Sequence, residues 1–441
     1  MTATGWHLLG AFIATIASFL LRPFAMGPMV LIALVGLSVT KTLKFKGLMA
    51  GFGNSTVWLV VSAFLIAGAV ARTGFGARIA LTMVKLLGRT TLGLGYAICG
   101  AELILGPCVP SNTARGGGIM APIVQSLALA LGSSAERTPH VAGRYLVLVG
   151  AHANLITAAM FLTGMAANPL VADAANAVFG VNFTWATWAL GAIVPGLLGL
   201  ALLPLLIYRL ERPSLSDATA ARAQATEHLE KMGAWSRGEK IMAGVFAILL
   251  GLWSTSALHG MSSGLVAWIG VVILIVTNTE RWEDITSNAK AWDTLIWLGG
   301  LLAMANALKD EGVVTWFANT AQTQVGGLEG VTLVVALAVI YFYSMYAFSM
   351  LTAHISAMVA AFLALAAGAG APAMLSVALL AYFSNLCACT THYSTGPVII
   401  YFGFGYVPIP RWFRIGFIVS LFHMVIWLGV GLAWWKLLGW W

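Results

Sequence analysis

The chain has 441 residues, of which 60% are hydrophobic and 9% charged, with a mean hydropathy of +0.90. That is more apolar surface than a water-soluble core hides, so the chain reads as an all-α polytopic protein of the lipid bilayer. The formal net charge of +8 comes from lysines and arginines scattered through loops, with no basic stripe of interleaved aromatics, which argues against a nucleic-acid partner.

A membrane span needs about 20 apolar residues, and suitable runs occur at 6–21, 27–40, 56–73, 143–168 and 184–208. The first has no basic region ahead of Trp6, so it reads as a retained span and not a cleaved signal peptide. A polar stretch at 209–239 separates this half from runs at 240–256, 261–278, 291–308, 374–400 and 411–437. Two further segments, 92–132 and 331–370, have the length of two helices each but are broken midway by polar residues, the pattern of re-entrant hairpins. The halves 1–208 and 240–441 align through Thr113-Ala114-Arg115 with Thr352-Ala353-His354, and Asn154-Leu155 with Asn385-Leu386. Each half then has about five spans and one hairpin, an odd number of crossings, so the second copy is inverted, as in secondary transporters.

Loop charges set the orientation. Arg209, Arg212, Arg222, Lys231, Arg237 and Lys240 put the linker in the cytoplasm, where its mixed charges read as a solvated helical face, while 169–182 and 255–262 lack Lys and Arg and face outward. Lys41, Lys44 and Lys46 run against the scheme, on an outer loop. Trp434, Trp435, Trp440 and Trp441 read as an interfacial belt. Cys99, Cys108, Cys387 and Cys389 lie in apolar segments as packing residues, with no metal-ligand spacing and no cofactor implied.

The polar residues inside the hairpins and spans carry the chemistry. The first hairpin breaks at Pro110-Ser111-Asn112-Thr113-Ala114-Arg115, followed by three glycines, and offers Ser111, Asn112 and Thr113 as donors to an anion. Thr352 offers a donor from the second hairpin. Ser384-Asn385 and Thr390-Thr391-His392-Tyr393-Ser394-Thr395 interrupt 374–400, and Ala153-Asn154-Leu155-Ile156-Thr157 is their first-half counterpart, both read as unwound midpoints. Arg115 presents a planar cationic fork suited to a carboxylate, and His354 a titratable one. His152 and His392 read as helix-to-helix hydrogen-bonding residues, and Glu102 as structural.

Pro-Ser-Asn-Thr-Ala-Arg-Gly-Gly at 110–117, Thr-Ala-His at 352–354 and Thr-His-Tyr-Ser-Thr-Gly-Pro at 391–397 resemble the divalent anion/sodium symporter superfamily. They are closest to its branch of citrate/succinate and tartrate/succinate antiporters and 2-oxoglutarate/malate translocators. The resemblance implies a homodimeric elevator of the bacterial inner membrane, with a scaffold domain of 1–91 and 240–330 and a transport domain of 92–208 and 331–441. It also implies a di- or tricarboxylate cargo held by Ser111, Asn112, Thr113, Thr352 and the 384–395 cluster of Ser384, Asn385, Thr390, Thr391 and Thr395, to which Asn154 is added as the first-half counterpart. Met350-Leu351-Thr352 stands where sodium-coupled members repeat Ser-Asn-Thr, removing polar sodium ligands.

The expectation is therefore sodium-independent exchange in which Arg115 and a protonated His354 replace sodium. The alternative is a sodium-coupled dicarboxylate symporter. An intramembrane enzyme is disfavoured, because no Gly-x-Ser-x-Gly, His-Glu-x-x-His or paired intramembrane aspartates occur.

Overall fold

The computed structural model describes residues 1–21, 23–109, 111–313, 315, 316, 320 and 328–441. Pro110 of the first polar segment and 321–327 of the expected scaffold lie outside the described residues. The first half contains α1 (Ala3–Leu21), α2 (Met26–Val39), α3 (Phe45–Ala50), α4 (Ser55–Thr73), α5 (Phe75–Leu87) and α6 (Thr91–Leu105). It continues with α7 (Ala121–Ala130), entered through π-helical turns at Thr113–Met120, then α8 (Gly143–Met160), α9 (Asn168–Phe179) and α10 (Trp185–Leu210). The linker forms α11 (Thr219–Met232). The second half contains α12 (Arg237–Ser254), α13 (Ser256–His259), α14 (Ser263–Val276), α15 (Trp282–Thr286) and α16 (Ala289–Asp310). After it come α17 (Gly330–Ser344), α18 (Leu351–Gly368), α19 (Ala373–Leu386), α20 (Gly396–Gly403) and α21 (Ile409–Met424), which runs on through Val425–Gly431 to Leu432–Leu437.

Seven of these helical segments are long and apolar enough to cross a membrane, and shorter apolar helices such as α2, α6 and α14 accompany them. In the segments expected as hairpins, α6 and α7 flank the first polar interruption, and α17 and α18 flank the turn at 345–350. Each is followed by a helix broken at mid-length, α8 with α9 and α19 with α20. α4 packs on α14 and α16, and α8 packs on α6, α10, α19 and α20.

Two expectations about the first half are corrected. Ala153–Thr157 is not unwound: it lies inside α8, and the break comes later, at 161–167. Its carbonyls are satisfied from elsewhere, since Asn168 Nδ2 donates to Ala158 O at 2.9 Å and Phe161 O at 3.0 Å. Residues 169–182, expected as an outward loop, are largely helix α9, which starts at Asn168 with Pro169 in its first turn and stops at Gly180, whose φ of +68° suits glycine.

The polar linker is docked, not free. Thr91 N donates to Ser216 O at 2.9 Å, and Arg78 on α5 donates to Gly233 O at 3.1 Å and Met232 O at 3.4 Å while pairing with Glu239. Glu239 is also the N3 residue of the capping box that starts α12. Arg78 is 6% and Glu239 2% exposed, so removing one partner strands a buried charge. Arg78→Ala is expected to cost about 3 kcal/mol. The check is a lower melting temperature in detergent together with faster proteolysis within the linker. Arg72 pairs with Glu280, and Glu211 with Arg144 and Arg411, joining further segments of the chain.

All four cysteines are free and buried, as packing residues are. Trp435 is not a belt residue: it is buried and donates to Gly191 O at 2.8 Å.

Candidate functional site

The unwound stretch between α19 and α20 is held from both sides by the hairpin tips. From the first, Asn112 Nδ2 donates to Thr395 Oγ1 at 3.1 Å; from the second, Leu351 N donates to Ser394 O at 2.8 Å. Ser111 lies beside Asn112, and its hydroxyl accepts from Ala114 N at 3.1 Å, capping the turn that follows. Close approach depends on glycine. A Cβ on Gly396 would fall 2.3 Å from Thr113 Oγ1, and one on Gly116 would fall 2.6 Å from Asn154 Nδ2. Three helical N-termini, at Thr113, Leu351 and Gly396, thus converge on 391–395. Their aligned dipoles, positive at the N-terminal ends, make the junction attractive to an anion.

The structure brings Ser111, Asn112, Thr113, Thr391 and Thr395 into this junction, with Thr352 in the first turn of α18 next to Leu351. Thr391 Oγ1 is buried and has no hydrogen-bond partner among the described residues.

Arg115 departs from the expected role of free counter-charge. It is 0% exposed, and its Nε donates to Glu102 Oε2 at 2.7 Å. Its remaining donors reach Val109 O at 2.8 Å, Gly164 O at 3.1 Å and Thr157 Oγ1 at 3.2 Å. Val109 lies in the hairpin break and Gly164 in the break between α8 and α9, so one guanidinium satisfies carbonyls freed at two interruptions. Non-helical backbone at membrane depth requires such partners. Asn154 belongs to the same network and not to the junction surface: its Nδ2 lies 3.1 Å from both Glu102 carboxylate oxygens and 3.3 Å from Asn112 O. The structural reading of Glu102 agrees with this geometry.

His354 also closes its own hairpin. Its Nε2 lies 3.1 Å from Tyr341 O and 2.8 Å from Ser344 Oγ, with the ring packed between Tyr341 and Phe348. A carbonyl only accepts, so Nε2 carries the proton. Nδ1 has no partner among the described residues that would hold a second one, which removes the support for a fixed imidazolium. The register of Arg115 with His354 is thus a register of hairpin-closing side chains.

Three other expected site residues face away from the junction. Ser384 sits inside α19 with its hydroxyl on Leu380 O and against Tyr341 Oη, and Thr390 donates to Cys387 O. Asn385 Nδ2 donates to Asn168 Oδ1 at 2.7 Å, joining the two broken helices. Asn168 escaped the sequence reading; its signal was an asparagine directly before Pro169 within an apolar stretch. His152 makes no helix-to-helix hydrogen bond among the described residues.

The transmembrane-region model of the sodium:sulfate symporter family matches residues 1–441. The chain is 44% identical over 437 residues to the putative malate transporter YflS of Bacillus subtilis, covering 99% of this chain and 91% of that protein. It is 39% identical to the chloroplastic dicarboxylate transporter 1 of Arabidopsis thaliana, covering 100% of this chain and 80% of that protein. The Alcanivorax borkumensis YdaH transporter shares the fold, with a TM-score of 0.59 at 15% identity and coverage of 89% and 88% of the two chains.

Proposed function

The chain belongs to the sodium:sulfate symporter family of multi-pass membrane transporters, and we propose that it exchanges one dicarboxylate for another across the bilayer without sodium. The observation that carries this reading is the junction at 391–395, where both hairpin tips and three helical N-termini meet around hydroxyl and amide donors. The cargo carboxylates take the donors of Ser111, Asn112, Thr113, Thr352, Thr391 and Thr395 together with backbone N–H groups. Relatives named for malate and dicarboxylates support that substrate class.

Obligatory exchange rests on these donors and not on free cations. Arg115 is neutralised by Glu102, and each unsatisfied polar group carried through an apolar region costs about 1–3 kcal/mol. A loaded site satisfies them; an empty one carries several unsatisfied, so return with a second substrate is favoured. Met350 and Leu351 supply no side-chain oxygen for a second sodium site. The moving part comprises 92–208 and 331–441, sliding as an elevator against 1–91 and 240–330 within a homodimer.

Sodium-coupled symport is the second reading. It is favoured by the buried Thr391 Oγ1 of the junction, a hard oxygen without a hydrogen-bond partner among the described residues. Uptake of radiolabelled succinate into proteoliposomes, with and without internal succinate and crossed with a sodium gradient, separates the two. Exchange gives uptake only into loaded vesicles, whatever the sodium; uptake into empty vesicles driven by sodium establishes symport instead.

A further inference from the structure

α4 has the linker at its C-terminal end, where Gly238 lies against Thr73, and a polar cavity of about 810 Å³ at its N-terminal end. The cavity therefore opens on the membrane face opposite the linker. It reaches inward to Leu162, in the break between α8 and α9, and its walls carry Ser, Thr and Asn side chains from α4, α9, α10 and the α12 to α14 region. Among the described residues that line it, Asp173 is the one titratable group. The smaller cavity that shares Asp173 is walled by residues of α1, α9, α16 and α18, and again none of its other lining side chains titrates.

Asp173 stands where a moving helix meets a static one in the transport reading. On α9, its Oδ1 accepts from Thr56 Oγ1 of α4 at 3.4 Å, across 117 residues of chain. Its Oδ2 is buried and has no hydrogen-bond partner among the described residues. No lysine, arginine or histidine lines either cavity, so a carboxylate here has no fixed cation to balance it. None of the junction donors lines either cavity, so Asp173 acts on the cargo through space: ionised, it would oppose a dianion approaching from this face, since focusing by low-dielectric walls acts on either sign of charge.

We propose that Asp173 is a proton-binding site. A proton from the cavity water adds to the unpartnered carboxylate oxygen, giving a neutral acid that still accepts from Thr56 through Oδ1. The negative charge is thereby removed from the path of the dianion. Proton occupancy at Asp173 then sets the rate at which dicarboxylate is taken up from this face. The inference rests on the dicarboxylate reading, and wild-type uptake alone tests that reading.

The test is the ratio of Asp173→Asn to wild-type rates for radiolabelled succinate uptake into succinate-loaded proteoliposomes, as external pH falls from about 8 to about 6. Succinate remains mainly the dianion over this range, so the change in the ratio reports Asp173 and not the charge of the cargo. The asparagine variant is expected to be about three- to tenfold faster at the alkaline end, the two converging as wild type becomes protonated. A ratio that stays flat with pH overturns the proposal. So does sodium stimulation that is present in wild type and absent in the variant, which would assign the carboxylate to sodium. Should Asp173→Asn not accumulate, wild type is treated with dicyclohexylcarbodiimide, which adds to protonated carboxyls in apolar surroundings. Mass spectrometry should find the acylurea on Asp173 at acidic and not at alkaline pH; labelling independent of pH, or none, overturns it.

Discussion

Arg115→Met is expected to prevent accumulation of folded protein, and Glu102→Met/Arg115→Met to recover part of it. With Arg115 gone, the Glu102 carboxylate remains at 0% exposure beside Asn154 and Thr157, neither of which cancels a charge. Breaking a buried pair from one side costs about 3–5 kcal/mol, a large share of the total of about 5–15 kcal/mol that holds a typical fold. Val109 O and Gly164 O also lose donors in every Arg115 variant, at about 1–3 kcal/mol each, so the double variant stays below wild type. Arg115→Lys should fall between, because one ammonium cannot span Glu102, two carbonyls and Thr157 as the guanidinium does.

The measurement is fluorescence-detected gel filtration of wild type, Arg115→Met, Arg115→Lys, Glu102→Met and the double variant, with a melting curve for each. If Arg115 instead faced the cargo, its single variant would elute and melt like wild type and lose only transport. Glu102→Met would then add damage and repair nothing. The sign of the coupling between the two residues decides the matter, whatever the size of either single effect.

How much of this was legible in the sequence differs by element. The apolar helices and the interruptions within 92–132 and 331–370 could be read because the bilayer demands long apolar runs, and a polar group within one is costly enough to mark a feature. α9 was missed because half of a broken helix is short by construction: the twelve residues Asn168–Phe179 resemble a loop under a criterion of whole spans. The break before it was placed too early because Asn154 and Thr157 are polar, yet those side chains serve Glu102 from within α8. The actual break at Phe161-Leu162-Thr163-Gly164 is mostly apolar, and its partners come from Asn168 and Arg115 across the fold. Arg115 shows the same limit. Its charge is visible in the sequence, but Glu102 becomes its neighbour only when the hairpin closes, and no periodicity within one helix announces a pair formed across a tip.

The junction itself yields the second large effect, at a residue with no side chain. Gly396→Ala is expected to lower succinate exchange by at least about tenfold, the scale of loss that follows when binding groups move by about 1 Å. The added Cβ would lie 2.3 Å from Thr113 Oγ1, 2.7 Å from Cγ2 and 3.0 Å from Cβ. Either Thr113 turns away or the 391–396 segment retreats, and a retreat stretches the Asn112 to Thr395 hydrogen bond next to it. Overpacking of this kind costs about 1–3 kcal/mol, so the protein should fold with a modestly lower melting temperature and fail mainly in transport. Gly403→Ala, at the end of the same helix with nothing within 4 Å, is the matched control and should be silent. Adding Thr113→Ala to Gly396→Ala removes the two closest clashing atoms and should return the melting temperature. Exchange should stay low, since the hydroxyl that relieves the clash by leaving is also one of the proposed donors to the cargo. Wild-type exchange by Gly396→Ala would mean that the hairpin tip and the unwound segment need not meet for binding, and the junction would lose its standing as the site.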